Sequence, residues 1–362
     1  MPALSDFLQD LEHTRLLTPE EMTHYREATN LDPPVTAEEL ASELVRHGKL
    51  SRYQAETLLL GKCKGLMMGN LELLAPLGKG GMAHVFLATD RTTHELLAVK
   101  LLPPNKAEKV PHMVDRFHRE ALVGKRLDHP GITKVLFLKY IKGVLCLGLE
   151  YVPGIDVYRH VRQHGVMQTG PAARFIADLA IALDHAHRHG IVHADLKPAN
   201  VMLMPREVRK NAQGTRCKIL DFGLAIDLAR PPERASLSGK GNIAGTLAYM
   251  APEQTSPDML PTPASDIYSL GATLFYALTG RPPFHFEPGT HLREKLHQLR
   301  NKPAPEILDF VPTVPKEVAE YLNRLLAKDP AQRPKTAQQV AQYMRELARG
   351  RLTEQRTLEQ PR

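Results

Sequence analysis

Tryptophan is absent from this 362-residue chain, and aromatic residues together make up only 6% of it. Large stacking side chains are scarce and none is interleaved with a basic stripe, so nucleic acid is not an expected partner. Cysteine is scarce too: Cys63, Cys146 and Cys217 are odd in number, far apart and without CxxC spacing. That pattern excludes a disulfide framework and points to a reducing compartment. No run reaches the ~18 apolar residues of a membrane-spanning helix. The stretch over 132–152 is broken by Lys134, Lys139, Lys142 and glycines. The opening MPALSDFLQDLEHT lacks a basic segment followed by an apolar one, so a secretory signal is not expected. The expectation is a soluble cytoplasmic protein with no transmembrane segment.

What is present is an ordinary globular mixture, 43% hydrophobic and 24% charged, long enough for about two domains. The net charge of +7 is unevenly placed. Residues 1–69 carry 7 Lys/Arg and 11 Asp/Glu, a balance of −4, which leaves +11 for 70–362. A basic segment of that size suits nucleic acid, an anionic membrane or phosphate handling, and composition does not choose among them. A solvated basic surface favouring acidic substrate segments fits the missing aromatics better.

Residues 1–62 read as short helices punctuated by Leu31-Asp32-Pro33-Pro34, with an internal repeat at an offset of 33. Phe7, Leu11, Leu17-Thr18 and Tyr25 align with Leu40, Leu44, Leu50-Ser51 and Leu58. In each copy a Thr or Ser precedes a helical run, as an N-cap would. This predicts two helical hairpins packed on each other, or a helical extension resting on the next domain.

From Leu71 the texture changes. Leu71–Leu77, His84–Ala88, Leu96–Leu102 and Val135–Ile141 read as strands, with a helix over Val114–Leu127. Beyond Pro153-Gly154 the pattern turns helical, over Ala172–His189, Ser265–Leu278, Lys316–Leu326 and Ala337–Arg349. A β-rich lobe followed by an α-rich lobe predicts an α+β fold with a cleft between its parts. The predicted organisation is a helical module over 1–69, a domain over 70–348 with lobes 70–150 and 155–348, and a polar tail over 349–362.

Three stretches carry chemistry. Gly78-Lys79-Gly80-Gly81-Met82-Ala83-His84-Val85 is a glycine-rich turn between strands, where backbone N–H groups can approach phosphate oxygens unobstructed. It lacks the GxxxxGK[ST] spacing of a Walker loop. Leu97-Ala98-Val99-Lys100 ends a strand in a lysine, and the helix that follows contains Arg119-Glu120, a carboxylate able to pair with it. Finally, His193-Ala194-Asp195-Leu196-Lys197-Pro198-Ala199-Asn200 and Asp221-Phe222-Gly223 place two carboxylates and an amide on neighbouring loops. Such a set can supply a base and hard oxygen ligands for Mg²⁺.

Over about residues 70–348 these motifs, in this order, resemble the eukaryotic-type (Hanks-type) serine/threonine protein kinases of bacteria. The resemblance implies a bilobal protein kinase fold, ATP and Mg²⁺, and protein substrates with Ser/Thr acceptors. It implies that Leu77, Gly78, Lys79, Gly80, Gly81, Met82, Ala83, His84 and Val85 cover the phosphates. Lys100 would contact the α/β-phosphates and pair with Glu120. Asp195 would orient the acceptor hydroxyl and take its proton, Lys197 would steady the γ-phosphate, and Asn200 and Asp221 would hold the metal. Leu149 would be the gatekeeper, with Glu150–Val152 as the hinge to adenine, and Val85, Ala98 and Met202 around its ring. Gly245-Thr246 and Ala251-Pro252-Glu253 resemble the substrate-side loop, Asp266 the brace of the catalytic loop, and Arg333 the partner of Glu253. Lys197 and Thr246 favour Ser/Thr over Tyr.

Departures from the family pattern are informative. Ala194 stands where an arginine usually receives a phosphorylated loop, so control through residues 1–69 and an unknown protein partner is expected instead. Ala83 replaces a third glycine, and Gly124 a larger apolar residue. Asn200 and Asp221 are 21 positions apart, so residues 205–215 are predicted to form a surface hairpin loop. The histidines at 185, 187, 189 and 193 lack the convergent Cys or carboxylate of a tetrahedral site, and a metal is not expected there.

Overall fold

The protein is described from a computed structural model covering residues 2–28, 35–79, 83–104, 112–209, 214–229, 247–256 and 258–350. It divides into two compact units, Met1–Val114 with Val135–Tyr151, and Asp115–Lys134 with Val152–Arg362.

In the first unit, four helices precede a sheet: α1 (Leu4–Thr14), α2 (Pro19–Ala28), α3 (Ala37–Arg46) and α4 (Arg52–Leu59). The starts of α2, α3 and α4 follow side-chain capping chemistry. The Glu21 backbone N–H donates to Thr18 Oγ1 (3.2 Å) while Thr18 N–H donates to Glu21 Oε2 (2.9 Å). Thirty-three residues on, Gln54 N–H donates to Ser51 Oγ (3.1 Å) and Ser51 N–H to Gln54 Oε1 (2.7 Å). The ends repeat as well: Arg15 and Gly48, again 33 apart, both sit at positive φ (56° and 67°). The aligned pairs Phe7/Leu40, Leu11/Leu44 and Tyr25/Leu58 are all buried in one shared core.

These helices do not stand alone. Gln54 Nε2 donates to the Leu73 carbonyl and to Glu72 Oε1, both at 3.0 Å. The Arg91 guanidinium donates to the carbonyls of Arg15 (2.6 Å) and Leu16 (2.9 Å) at the end of α1, and pairs with Glu72. The orphan carbonyls of a helix C-terminus thus find a cation in the sheet.

The sheet is antiparallel with strand order β1-β2-β3-β4-β6-β5. Its strands are β1 (Met67–Met68), β2 (Leu71–Lys79), β3 (His84–Asp90), β4 (Leu96–Leu102), β5 (Val135–Ile141) and β6 (Val144–Glu150). Period-two alternation in β4 sends Leu97, Val99 and Leu101 into the core shared with Cys146. Ala98 and Lys100 therefore belong to the opposite face, with their register partners Val85, Leu147 and Leu149.

The second unit carries α5 (His112–Arg126) from Asp115 on, then β7 (Ile155–Asp156), α6 (Val157–His164) and α7 (Thr169–Arg188). After β8 (Ile191–Val192), a 3₁₀ turn (Pro198–Asn200) leads into β9 (Val201–Leu203), followed by α8 (Arg206–Arg209), β10 (Cys217–Ile219) and β11 (Ile226–Asp227). The helices α9 (Pro263–Thr279), α10 (Leu292–Asn301), α11 (Lys316–Leu325) and α12 (Ala337–Ala348) follow. Its core centres on α7 and α9; the apolar residues of α9 run nearly all round, as in a helix buried on every side, while α7 keeps a polar stripe at Arg174, Asp178 and Arg188. Two small sheets, β10-β9-β7 and β11-β8, complete the unit; all their strands except β7 come from the segment between α7 and α9.

Periodicity alone does not reveal the strand β6 or the helices α6 and α10. The predicted hairpin over 205–215 is corrected in its first half: Arg206–Arg209 forms a helical turn, because Arg-Glu-Val-Arg contains no helix breaker.

Candidate active site

The loop between β8 and β9 is fixed from beneath by one buried carboxylate. Asp266, in the first turn of α9, accepts the backbone N–H of His193 on Oδ2 (2.8 Å) and of Ala194 on Oδ1 (2.9 Å). Ala194 has φ +62°, a left-handed conformation that a non-glycine residue adopts only when its surroundings impose it. The carboxylate supplies that constraint. His187 Nε2 lies 2.8 Å from Asp266 Oδ2 and orients it from the other side.

This anchoring turns Asp195 into an asymmetric carboxylate. Its Oδ2 accepts from Lys197 Nζ at 2.8 Å and stands 3.4 Å from Asn200 Nδ2, while its buried Oδ1 has no hydrogen-bond partner among the described residues. Asn200 Nδ2 also donates to the Asp195 carbonyl at 2.9 Å. That orients the amide so that its oxygen stays uncommitted among the described residues. His193 is fully buried, and burial holds its pKa below the ordinary imidazole range, so the ring is neutral at pH 7. Its Nδ1 accepts the Asp195 N–H (3.3 Å), and its ring packs edge-on against Phe222 at 4.8 Å.

Asp221 Oδ1 accepts the Gly223 N–H at 2.7 Å, closing a tight turn. A Cβ on Gly223 would lie 2.9 Å from that oxygen and 3.3 Å from Glu120 Oε2, so a larger residue there would push on both carboxylates. The buried Glu120 of α5 is thereby placed beside the Asp221–Gly223 segment. One helical turn earlier, Arg116 lies in the field of Asp221 and Asp195; burial lowers its pKa and both carboxylates oppose that shift. An amide oxygen and a carboxylate are hard donors of the kind Mg²⁺ prefers, and two of them leave most of its shell to phosphate and water. The residues present therefore fit the metal.

The remaining expected site residues lie elsewhere. Leu77, Gly78 and Lys79 end β2, Ala83 is buried just before β3, and His84 and Val85 open that strand. Val85, Ala98 and Lys100 share the sheet face described above, and Glu150 ends β6. Met202 sits in β9, paired in register with Lys218 and Asp156, and Val152 is buried in the second unit. Gly80, Gly81 and Met82, as well as Gly245 and Thr246, lie outside the described residues.

Sequence reasoning misses three neighbours of the loop: Arg116, His187 and Gln254. Buried Gln254 donates from Nε2 to the Ala194 carbonyl (2.9 Å) and accepts the Ala251 N–H on Oε1 (3.1 Å), tying the Ala251–Glu253 segment to the loop. No local pattern distinguishes it from a surface glutamine. Proximity in sequence groups His187 with the other histidines, yet it faces Asp266. His185 instead packs at a tilt between the rings of His129 and His189, with centroids 5.1 and 4.4 Å away.

Comparison with known proteins places these observations. The family model described as the protein kinase domain matches residues 71–344. The chain is 32% identical over 281 residues to the serine/threonine-protein kinase PrkC of Bacillus subtilis, covering 78% of this chain and 40% of that protein. It is 34% identical over 276 residues to PknB of Mycolicibacterium smegmatis (74% and 41%), and 36% identical over 287 residues to RqkA of Deinococcus radiodurans (76% and 39%). The chain thus spans about two fifths of the length of these curated relatives. Among solved structures, a mutant kinase domain of Mycobacterium tuberculosis PknI matches with a TM-score of 0.58 at 27% identity, covering 78% of this chain and 98% of that one.

Proposed function

The chain belongs to the protein kinase family, and from that premise we propose that it transfers the γ-phosphoryl group of ATP to Ser/Thr hydroxyls of protein substrates, with Mg²⁺. Its curated relatives are bacterial serine/threonine-protein kinases. The observation that carries the reading is the state of Asp195, whose Oδ2 is held by Lys197 while Oδ1 is buried and unpartnered among the described residues. A carboxylate held in one orientation by a neighbouring ammonium can take the proton of an incoming hydroxyl.

In the transfer, the bond from Pγ to the β,γ-bridging oxygen breaks as one forms from Pγ to the acceptor oxygen. The hydroxyl proton passes to the Asp195 carboxylate, and ADP leaves with the bridging electron pair. Lys197 steadies the moving phosphoryl group. As the family resemblance implies, Lys100 would pair with Glu120 and contact the α/β-phosphates, and Leu77–Val85 would cover them. The adenine sits by Val85, Ala98, Glu150, Val152 and Met202. Asn200 and Asp221 would hold Mg²⁺, which when bound neutralises charge on the phosphate oxygens. The kinase domain occupies 70–348, with 1–69 as a helical module and 349–362 as a tail. No helix among the described residues is long and apolar enough to cross a membrane. A pseudokinase or adaptor reading finds no support, because Lys100, Glu120, Asp195, Asn200 and Asp221 are all present.

Phosphoryl transfer to a generic basic protein tests the reading. Asp195→Asn is expected to keep nucleotide binding and lose at least ~100-fold in turnover. A variant with the rate of the wild type refutes the assignment.

A further inference from the structure

The second unit contains a groove of about 1070 Å³ that phosphoryl transfer does not use. It runs between β7, the end of α6, the start of α7 and the segment after β9. Its walls carry Arg174, Arg206, Arg216, His160 and His164, and no acidic side chain lines it among the described residues. Arg216 is tied to Asp178 at 3.0 Å, whereas Arg174 and Arg206 form no ion pair among the described residues. His160 and His164 stack with ring centroids 4.8 Å apart. Burial and the neighbouring His164 lower the His160 pKa, and the arginines carry positive charge at neutral pH. The floor is apolar, with Ile155, Phe175 and Leu203.

This lining selects among ligands. A bare inorganic anion is far smaller than the groove and leaves its apolar floor wet. A nucleic acid strand needs aromatic platforms between its cations, which the imidazole pair alone does not supply. A peptide with acidic residues against the arginines and aliphatic residues on the floor satisfies both parts of the surface. The groove is also preformed at one end: Gly154 has φ +143°, and a Cβ there would lie 2.0 Å from the Leu203 carbonyl oxygen, so backbone packs directly on backbone. A rigid groove loses little conformational freedom on binding.

We propose that this groove docks an acidic, aliphatic-anchored segment of the protein substrate, separate from the residue that is phosphorylated. The identification of the occupant as a substrate rests on the kinase reading; the binding chemistry does not. Position supports it. The strand β9 leads directly from Asn200 to Leu203 in the groove wall, so Met204 is about 13 Å along extended chain from Asn200. A segment held there keeps its acceptor residue near Asp195 at a raised effective concentration.

The test uses the full chain and a fluorescein-labelled peptide of alternating Glu and Leu, followed by fluorescence anisotropy. A Gln/Leu peptide and a single-stranded oligonucleotide of equal charge serve as comparators. The Arg174→Glu/Arg206→Glu double variant is expected to bind the Glu/Leu peptide at least ~10-fold more weakly, which corresponds to ~1.4 kcal/mol. With a serine substrate fused to the same segment, KM is expected to rise by a similar factor at unchanged kcat, while the unfused substrate is unaffected. Equal binding by the double variant, equal binding of the Gln/Leu peptide, or preference for the oligonucleotide overturns the proposal. Should the charge reversals unfold the chain, Arg174→Gln/Arg206→Gln is expected to lose about threefold, and no loss there is equally fatal. Peptide binding without phosphoryl transfer would sink the kinase reading and leave the groove standing; transfer without peptide binding would do the reverse.

Discussion

Removing the Arg333 guanidinium is expected to unfold the second unit far more readily than any surface substitution. Arg333 and Glu253 have side-chain exposures of 0% and 5% and meet through two parallel bonds, Nη1 to Oε1 at 2.7 Å and Nη2 to Oε2 at 2.9 Å. The remaining guanidinium donors go to the carbonyls of Ala327 (2.8 Å), Ala264 (2.9 Å) and Lys328 (3.1 Å). All five N–H groups are therefore used. Ser265 Oγ donates to Glu253 Oε1 at 2.8 Å, so the carboxylate retains one partner after Arg333→Met. Even so, the variant leaves a buried charge without its counter-ion and takes one donor from each of three carbonyls. Breaking such a pair costs about 3–5 kcal/mol. At ~2–4 °C per kcal/mol for a unit of this size, the melting temperature should fall by about 10 °C. With no tryptophan in the chain, urea unfolding is followed by far-UV circular dichroism. The Glu253→Gln variant should be comparably destabilised, and the double variant should lose less than the sum of the two by at least ~1 kcal/mol. A loss below ~1 kcal/mol for Arg333→Met, or strict additivity, would refute the claim that the pair acts as a buried unit. Arg333→Lys should rescue little, since one ammonium cannot span both carboxylate oxygens and three carbonyls.

Lys328 Nζ donates to the Leu299 carbonyl at 2.6 Å and lies 4.1 Å from the Phe284 ring centroid; burial, with the nearby Arg333 charge, pushes its pKa down to about 8. Because the unfolded chain then holds more protons between pH 8 and the ordinary lysine range, this group adds stability as pH rises through that window. Urea midpoints at pH 7.5, 9 and 10 should show the wild type gaining on Lys328→Met, and a parallel pH dependence contradicts the assignment. Arg91→Ala should release the end of α1 from the sheet, seen as at least ~10-fold faster amide exchange around Leu16–Leu17; unchanged protection would show that the clamp is dispensable. Ser236 and Ser238 lie outside the described residues, yet Ala194 offers a loop phosphate neither charge nor donor. Their double alanine variant should therefore phosphorylate substrate at close to the wild-type rate, and a tenfold loss, ~1.4 kcal/mol of barrier, would refute that expectation.

Local patterns determined much of this protein. The capping residues Thr18 and Ser51, each followed three positions later by Glu21 or Gln54, announce helix starts through bonds that close within one turn, so the 33-residue repeat is legible from the order of residues alone. Alternation in Leu96–Leu102 likewise assigns Lys100 to the face opposite Val99, and the spacing of Asp195, Lys197, Asn200 and Asp221 identifies the candidate site. Tertiary structure alone decided what those residues touch. That Asp266 holds Ala194 at positive φ, that His187 faces that carboxylate, and that Gln254 reaches back to the loop between β8 and β9 all depend on contacts 60 to 79 positions apart in the chain. The basic groove is of the same kind. Arg174, Arg206 and Arg216 are ordinary arginines in sequence, and they come together because α7, the start of α8 and the residue before β10 line one groove with an apolar floor.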